Sequence, residues 1–319
     1  MVSGNMHANA CRCVVSNNPE DINSWSASSY TSSSQVTYPR FLKYPDGTVQ
    51  ALWREGISGN GTYYSSLFDE ASKQWATKIL WIGQATGATS SPYEQRIAIS
   101  DKGDIHLCWG YRLANGKADS NFGMYYAKSP DKGVTWTSAN GATTYSLPLL
   151  DTNSEKIANI TTGTGYVNQC GGTCDLKGYY HTVIWQLVDN KTQYLHIWYD
   201  GALWNTEIVS DFDIRVDTSG DTVVESLSRP MMCCTPYGRI YIVYLTDQED
   251  FKGQYRAIDV TTPGMPEDIL LAPYTSGPSA PSFDDAYTRK WGVIKTLLTR
   301  GGSEGIDGGP AHIITVNLP

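Results

Sequence analysis

The sequence predicts an all-β protein, a β-propeller built from four-stranded antiparallel blades. Three observations lead to this prediction: the composition, one turn motif and a repeated strand pattern. The 319 residues include 30 glycines, aromatic residues make up 12% and charged residues only 18%. Many glycines and aromatic residues with few charges are typical of a chain with many short strands and turns.

The turn motif occupies residues 129–136, with the sequence Ser-Pro-Asp-Lys-Gly-Val-Thr-Trp. It matches the Asp-box pattern S-x-D-x-G-x-T-W at each fixed position. Asp131 and Gly133 suit the backbone of a tight hairpin turn, and we expect Trp136 to pack beneath it. Asp boxes recur in β-propellers of carbohydrate-active proteins, so the motif indicates a blade and not an active site.

The strand pattern recurs four times along the chain. Each copy has an anchor, a short apolar strand, a polar turn with glycine and a strand that ends in an aromatic residue. The turn glycines are Gly47, Gly103, Gly178 and Gly238. A second hairpin follows each copy, so each unit holds about four strands, as a propeller blade does.

The repeats predict one domain of about five blades. The predicted blades cover residues 38–92, 93–166, 167–226, 227–280, and 281–319 paired with 1–37. In this arrangement the two ends of the chain share the closing blade. The alternative is that the chain is part of a larger ring, which could have seven blades.

Charge and motifs exclude several classes of function. The net charge of −8 argues against a nucleic-acid partner, because phosphate binding needs a basic face. An acidic polysaccharide remains possible, since a local cluster of arginines can oppose the overall charge. No stretch is apolar enough for a transmembrane helix, and no nucleotide, dinucleotide or zinc-protease motif is present. We therefore expect no membrane partner, no cofactor and no metal.

A series of short motifs, in order along the chain, resembles the BNR-repeat family, which includes propeller-fold ulvan lyases. The motifs are Met6-His7, Tyr38-Pro39-Arg40, Ser58-Gly59-Asn60-Gly61, His106-Leu107-x-Trp109, Asn168-Gln169-x-Gly171-Gly172, Ser228-Arg229-Pro230 and Pro281-Ser282-Phe283-Asp284. The resemblance implies a polysaccharide lyase that cleaves a uronate-containing anionic polysaccharide, and an extracellular or virion-associated location. The characterised lyases of the family have seven blades, which differs from the five predicted here.

β-Elimination at a uronate needs a base, a group that neutralises the carboxylate and an acid for the leaving oxygen. The resemblance points to His7 as the first candidate base and to Tyr93 as a second catalytic residue. It also indicates Arg112 as the neutralising group. His181 is the fourth catalytic candidate, because it follows its turn glycine at the same distance as His106 does in the preceding blade.

A second set of residues is predicted to bind the substrate without reacting. Arg40, Arg96 and Arg229 precede the turn glycines of three blades, and together they would form a basic funnel. Asn168 is a second candidate for neutralising the carboxylate. The full substrate-binding set is Arg40, Arg96, His106, Asn168 and Arg229.

Two other functions remain open from the sequence. A sialidase-like glycoside hydrolase would use Arg40, Arg96 and Arg229 as a triad on a sugar carboxylate. A non-catalytic glycan-binding propeller, such as a phage receptor-binding or lectin-like module, would use surface tryptophans instead. The candidates for that role are Trp53, Trp109, Trp185 and Trp204.

Overall fold

The computed structural model describes residues 1–4, 6–114, 116–220, 223, 226–273, 280–299 and 311–319, with no description of the side chains of residues 297–299 and 311–313. The regular secondary structure of the described chain is almost entirely β-strand, arranged in consecutive antiparallel sheets. This confirms the predicted all-β propeller. No helix in these residues is long and apolar enough to span a membrane.

Four sheets follow one another along the chain, and we number them as blades in that order. The first blade contains His7–Asn9, Val36–Lys43, Val49–Ile57, Asn60–Asp69, Gln74–Trp75 and Ile79–Ile82. The second contains Ser90–Glu94, Ala98–Ile99, Ile105–Leu113, Asn121–Ser129, Trp136–Thr137, Thr144–Tyr145 and Glu155–Ala158. The third contains Gly172–Cys174, Tyr180–Val188, Lys191–Tyr199 and Trp204–Ile208, and the fourth Met231–Cys234, Ile240–Tyr244, Gln254–Asp259 and Glu267–Pro273.

Two smaller sheets lie at the ends of the chain. Near the amino end, Val2–Ser3, Cys13–Ser16 and Trp25–Ala27 form a three-stranded sheet. Near the carboxyl end, Val293–Thr299 pairs with Ala311–Asn317. In the described residues these two sheets are separate, so the shared closing blade that the sequence suggested is not formed by strand pairing there. Residues 7–9 instead extend the first blade.

The hydrophobic core lies between successive blades. Leu52 and Tyr63 of the first blade pack in one cluster with Leu107 and Trp109 of the second. A larger cluster joins the second, third and fourth blades in the same way. This packing explains the pattern of one large aromatic residue per repeat, because each sheet buries its face against its neighbour.

The tryptophans considered for sugar stacking lie mostly in this core. Trp53, Trp109 and Trp185 occupy equivalent positions in three blades and have no exposed surface. Only Trp204 is partly exposed, and its Nε1 donates to Glu155 Oε1 at 2.9 Å. The first three therefore act in packing and cannot contact a glycan.

The turn at residues 129–136 is closed by its own side chains. Ser129 Oγ accepts from the Gly133 amide at 2.8 Å, and Asp131 Oδ1 accepts from the Thr135 amide at 2.7 Å. Trp136 is fully buried and donates from Nε1 to the Gly133 carbonyl at 3.0 Å. Its ring packs edge-on against Trp81, so the turn joins the second blade to the first.

The α-helix Asp285–Trp291 connects the end of the chain to earlier blades. Asp284 caps it by accepting from the Tyr287 amide, and Gly292 ends it with φ of 67°. Arg289 donates to Asp101 and to the carbonyl oxygens of Cys174 and Asp175. The only other helices in the described residues are the short 3-10 turns Ala118–Ser120 and Glu249–Phe251.

The blades have two ends, which we call the upper and lower faces. The lower face carries the turns with Gly47, Gly103, Gly178 and Gly238, each at the start of a long strand. The upper face carries the following turn of each blade, such as Ser58–Gly59 in the first. The candidate residues divide between these two faces.

Candidate functional site

Tyr93 is the centre of a cluster of aromatic rings and cations near the upper face. It lies on Ser90–Glu94 of the second blade and is 2% exposed. The guanidinium carbon of Arg54 lies 4.7 Å from the centre of its ring, and that of Arg112 lies 4.6 Å from it. Tyr38 packs beside Tyr93, with 5.8 Å between ring centres, and Arg54 also covers the Tyr38 ring.

Strand register brings the two arginines to Tyr93. Arg54 lies on Val49–Ile57, opposite Thr37 and Tyr63. Its Nη1 and Nη2 donate to Ser91 Oγ and Thr37 Oγ1, both at the long distance of 3.4 Å. Arg112 comes from Ile105–Leu113, where it pairs with Ser91.

Arg112 is held firmly by two amide side chains. Its Nε donates to Asn121 Oδ1 at 2.8 Å, and its Nη2 donates to Asn168 Oδ1 at 2.6 Å. Asn121 is fixed in turn by its Nδ2, which donates to the Tyr166 carbonyl at 3.2 Å. The two amides orient the guanidinium without neutralising it. Asn168 therefore supports Arg112, whereas the sequence analysis expected it to contact substrate.

Among the described residues, neither arginine of this cluster has a carboxylate partner. Within the part of the chain that the structure describes, no Asp or Glu oxygen lies within 4 Å of Arg54 or Arg112. Both are nevertheless buried, at 2% and 7% exposed. Burying a cation without a counter-ion is expensive, so the pair is suited to receive an anion.

The pKa values of Tyr93 and Tyr38 are shifted in opposite directions by this environment. Burial raises the pKa of Tyr93, but the charges of Arg54 and Arg112 and the hydrogen bond to Ser58 outweigh it, so the pKa lies below its usual value. For Tyr38, burial and the neighbouring Tyr93 raise the pKa more than the arginines lower it. Tyr93 is therefore the phenol more readily deprotonated.

His7 lies one strand away from this cluster. It pairs with Thr37, and the Ala8 amide donates to Thr37 Oγ1 at 3.1 Å. The same oxygen accepts the hydrogen bond from Arg54. His7 itself is exposed, on the strand that pairs with Thr37.

Two of the predicted funnel arginines already have partners. Arg40 forms an ion pair with the fully buried Glu94. Arg96 donates from Nε and Nη2 to Asp285 Oδ2, at 3.1 and 2.9 Å. These pairs join different parts of the ring and compensate both charges. The charge of Arg229, the third of these arginines, acts on Tyr38, where it opposes the rise in the pKa of that phenol.

His106 and His181 lie at the lower face and not beside Tyr93. His106 Nδ1 is 2.7 Å from Tyr126 Oη, and His181 Nδ1 is 3.0 Å from His196 Nε2. Burial lowers the pKa of both His106 and His181 to about 3, with a contribution from Lys128 for His106. Six residues of one strand, about 20 Å, separate His106 from Arg112.

Arg54, Tyr38 and Ser58 were not predicted as members of the site. Tyr38 and Ser58 stand in the motifs Tyr38-Pro39-Arg40 and Ser58-Gly59-Asn60-Gly61, and Arg54 follows Trp53. The available signal was the repeat itself, because Arg54 lies in the last turn-facing part of the strand Val49–Ile57. The clustering of the three around Tyr93 depends on contacts between blades.

The described residues contain no group of three His, Cys, Asp or Glu side chains that could hold a metal ion. All seven cysteines are free thiols. The titratable side chains within the Tyr93 cluster are the phenols of Tyr93 and Tyr38 and the guanidinium groups of Arg54 and Arg112.

Comparison with known proteins places the chain in a family. The model of the BNR repeat-containing family matches residues 1–212, so the chain belongs to that family. No curated protein matches the chain. Its fold is similar to that of a PL25 ulvan lyase bound to -[GlcA(1-4)Rha3S]-, with a TM-score of 0.74. At 16% identity, the match covers 99% of this chain and 72% of that lyase.

A second similar structure is that of the polysaccharide lyase Uly1. The TM-score is 0.65 at 16% identity, over 99% of this chain and 74% of that one. At such identities the likeness establishes the propeller fold. The activity has to be argued from the site.

Proposed function

We propose that the protein is a polysaccharide lyase that cleaves a uronate-containing anionic polysaccharide by β-elimination. The observation that carries the proposal is the placement of Tyr93 beside two buried guanidinium groups that have no carboxylate partner in the described part of the chain. These are the requirements of the reaction: a base of lowered pKa and a site for the uronate carboxylate.

In the proposed reaction the sugar carboxylate binds to the guanidinium of Arg112. Nε and Nη2 of Arg112 donate to Asn121 and Asn168. Nη1 of Arg112 has no protein partner in the described residues, so this nitrogen is assigned to the carboxylate. Neutralising the carboxylate makes the proton on the adjacent carbon, C5, more acidic. The positive charge of Arg54 also stabilises the phenolate form of Tyr93.

The Tyr93 phenolate then removes the C5 proton. The electron pair of the C5–H bond forms a C4–C5 double bond, and the C4–O glycosidic bond breaks. The leaving oxygen receives a proton, which we assign to His7 because it is exposed and pairs with Thr37, whose hydroxyl contacts Arg54. This assignment differs from the prediction made from the sequence, in which His7 was the first candidate base. Tyr93 is assigned as the base because Arg54 and Arg112 lower its pKa.

The proposal gives no catalytic role to His181 and no substrate contact to Arg40 or Arg96. His181 is buried at the opposite face, and the two arginines are paired with Glu94 and Asp285. The same pairs weaken the sialidase-like alternative, since its arginine triad would need Arg40, Arg96 and Arg229 to share one carboxylate. An extracellular location belongs to the same proposal, because that is where such polymers are found.

The test is to incubate the protein with a panel of uronate polysaccharides, including one with a glucuronate–sulfated rhamnose repeat. Elimination gives an unsaturated end that absorbs in the ultraviolet, and its mass is one water lower than that of a hydrolysis product. An ultraviolet-absorbing product supports the proposal. Saturated reducing ends would instead support the hydrolase, and retention on the glycan without any product would support a binding module.

A further inference from the structure

A cavity at the lower face lies between the second and third blades. Its walls include the turn from Ser100 to Asp104, the strand residue Lys128, and the segment from Lys177 to Tyr180. Its volume is about 250 Å³, which is the space of about eight water molecules at ~30 Å³ each. That is too large for a bare inorganic anion to fill and is suited to a single small organic molecule.

The cavity is strongly basic for a protein of net charge −8. Lys102, Lys128 and Lys177 line it, against the single carboxylate of Asp104. In the described chain none of these ammonium groups lies within 4 Å of a carboxylate.

A neighbouring cation behaves differently from these three lysines. Arg289 is paired with Asp101, the residue next to Lys102. The carboxylate of Asp101 is therefore close to the cavity but is used elsewhere. Three lysines that line one cavity, with no carboxylate partner among the described residues, form a local site for an anion.

The cavity also has an aromatic lining. Tyr179 and Tyr199 meet edge to face, with 5.6 Å between ring centres. Deeper in the wall, the His106 ring stacks on Tyr180 at 5.9 Å. Because burial and Lys128 lower the pKa of His106 to about 3, this histidine is neutral near pH 7 and the lysines supply the charge. Aromatic walls with a few polar groups are typical of sites for small organic ligands.

We propose that this cavity is a second carbohydrate-binding site, which takes a single sugar residue bearing a carboxylate or sulfate group. The lysines recognise the anionic group, and the tyrosines pack against the ring. The site faces away from the Tyr93 cluster, about 20 Å along the strand that joins His106 to Arg112. Binding at this cavity therefore involves no catalytic step. The proposal of a second binding site goes beyond the lyase function proposed above.

A site of this kind would hold one part of a polymer while another part is at the Tyr93 cluster. Binding at a second point on the same chain raises the effective concentration of the polymer at the first. Short oligosaccharides, which cannot reach both faces, would gain nothing from it.

The direct test is an NMR titration that follows the amide of Gly178, which lines the cavity. The probes are glucuronate, a sulfated monosaccharide, the uncharged methyl glucoside and inorganic sulfate. We expect the two charged sugars to shift this amide, and the double variant Lys102→Gln/Lys177→Gln to weaken their binding about fivefold. The matched control Lys43→Gln/Lys252→Gln makes the same charge change on exposed lysines outside the cavity, and should leave the affinity unchanged.

Arg112→Gln separates this site from the Tyr93 cluster, since it should leave the response of Gly178 intact. The proposal is overturned if the charged sugars do not shift Gly178, or if the Lys102/Lys177 variant binds them as the wild type does. It is also overturned if inorganic sulfate binds as tightly as the sugars, because the site would then recognise only an ion. None of these outcomes depends on lyase activity, so failure here and failure of the lyase proposal are distinguishable.

Discussion

The guanidinium of Arg112 lies over the ring of Tyr93, 4.6 Å from its centre, and is held there by Asn121 and Asn168. Two uncharged amides fix its position, so its charge is available both to Tyr93 and to an incoming anion. The relationship couples the two requirements of elimination, because the cation that would bind the carboxylate also favours the phenolate that would take the proton.

Replacing Arg112 by glutamine should abolish most of the lyase activity. The variant removes the charge that neutralises the carboxylate, and we expect kcat to fall by about 10²–10³. The measurement is the rate of ultraviolet-absorbing product on the best polysaccharide of the panel. Arg215→Gln, an exposed arginine on a loop of the third blade, is the control and should keep the full rate. An Arg112→Gln enzyme as fast as this control would remove Arg112 from the mechanism.

The pH dependence of kcat/KM should report Tyr93. Because Tyr93 acts as the phenolate, the rate should rise as pH increases through its pKa, which Arg54 and Arg112 hold below the usual value. Arg54→Gln removes one of these charges, so the rise should move to higher pH. Tyr93→Phe should lower the rate by about 10²–10⁴ at every pH. An unchanged profile in Arg54→Gln would show that another group is the base.

Much of the fold could be predicted because its signals are local. The turn at residues 129–136 carries its own hydrogen-bonding side chains, and each repeat carries its own turn glycine and buried aromatic residue. Such features require no knowledge of distant partners. They identify the blades from the sequence of each repeat alone.

The site could be predicted only in part, because its charges are set by contacts between distant segments. The sequence does not reveal that the partner of Arg40 is Glu94, 54 residues away, or that the partner of Arg96 is Asp285, 189 residues away. Arg54 became part of the site through its register with Thr37 and its approach to Tyr93 of the next blade. No local pattern distinguishes a paired arginine from an unpaired one.

Substitutions of His7 and His181 should affect different properties, the reaction rate for His7 and the unfolding free energy for His181. His7 is exposed beside the cluster, so His7→Gln should lower the rate by about 10²-fold with an unchanged melting temperature. His181 is buried against His196, so His181→Ala should cost about 1–3 kcal/mol of unfolding free energy and leave kcat unchanged in the folded protein. Denaturant unfolding and initial rates measure both quantities. The reverse pattern would return His181 to the catalytic residues that the sequence suggested.

The buried histidines should make the protein sensitive to acid. The unfolded chain protonates His106 near pH 6.5, whereas burial lowers the pKa in the folded protein to about 3. The stability that this residue contributes is therefore complete above pH 6.5 and is lost as pH falls toward 3. His106→Gln removes this titration, so its unfolding free energy should fall less steeply in that window, by up to about 1.4 kcal/mol per pH unit. Equal slopes in both proteins would mean that His106 does not titrate as its burial implies.

The 129–136 turn allows a prediction about the contact between the first two blades. Gly133 has φ of 89°, and a Cβ built there would lie 2.3 Å from the Trp81 ring. Gly133→Ala should therefore combine backbone strain with displacement of a buried tryptophan. We expect a loss of about 2–4 kcal/mol in unfolding free energy.

Gly141 provides the matched control for this substitution. Its φ is 75°, but a Cβ there would meet nothing within 4 Å. Gly141→Ala should therefore show the backbone strain alone, about 1 kcal/mol. The difference between the two variants, measured by denaturant unfolding, isolates the packing of Trp81 against the turn. If both variants lose the same amount, the turn contributes through its own backbone and not through its contact with the first blade.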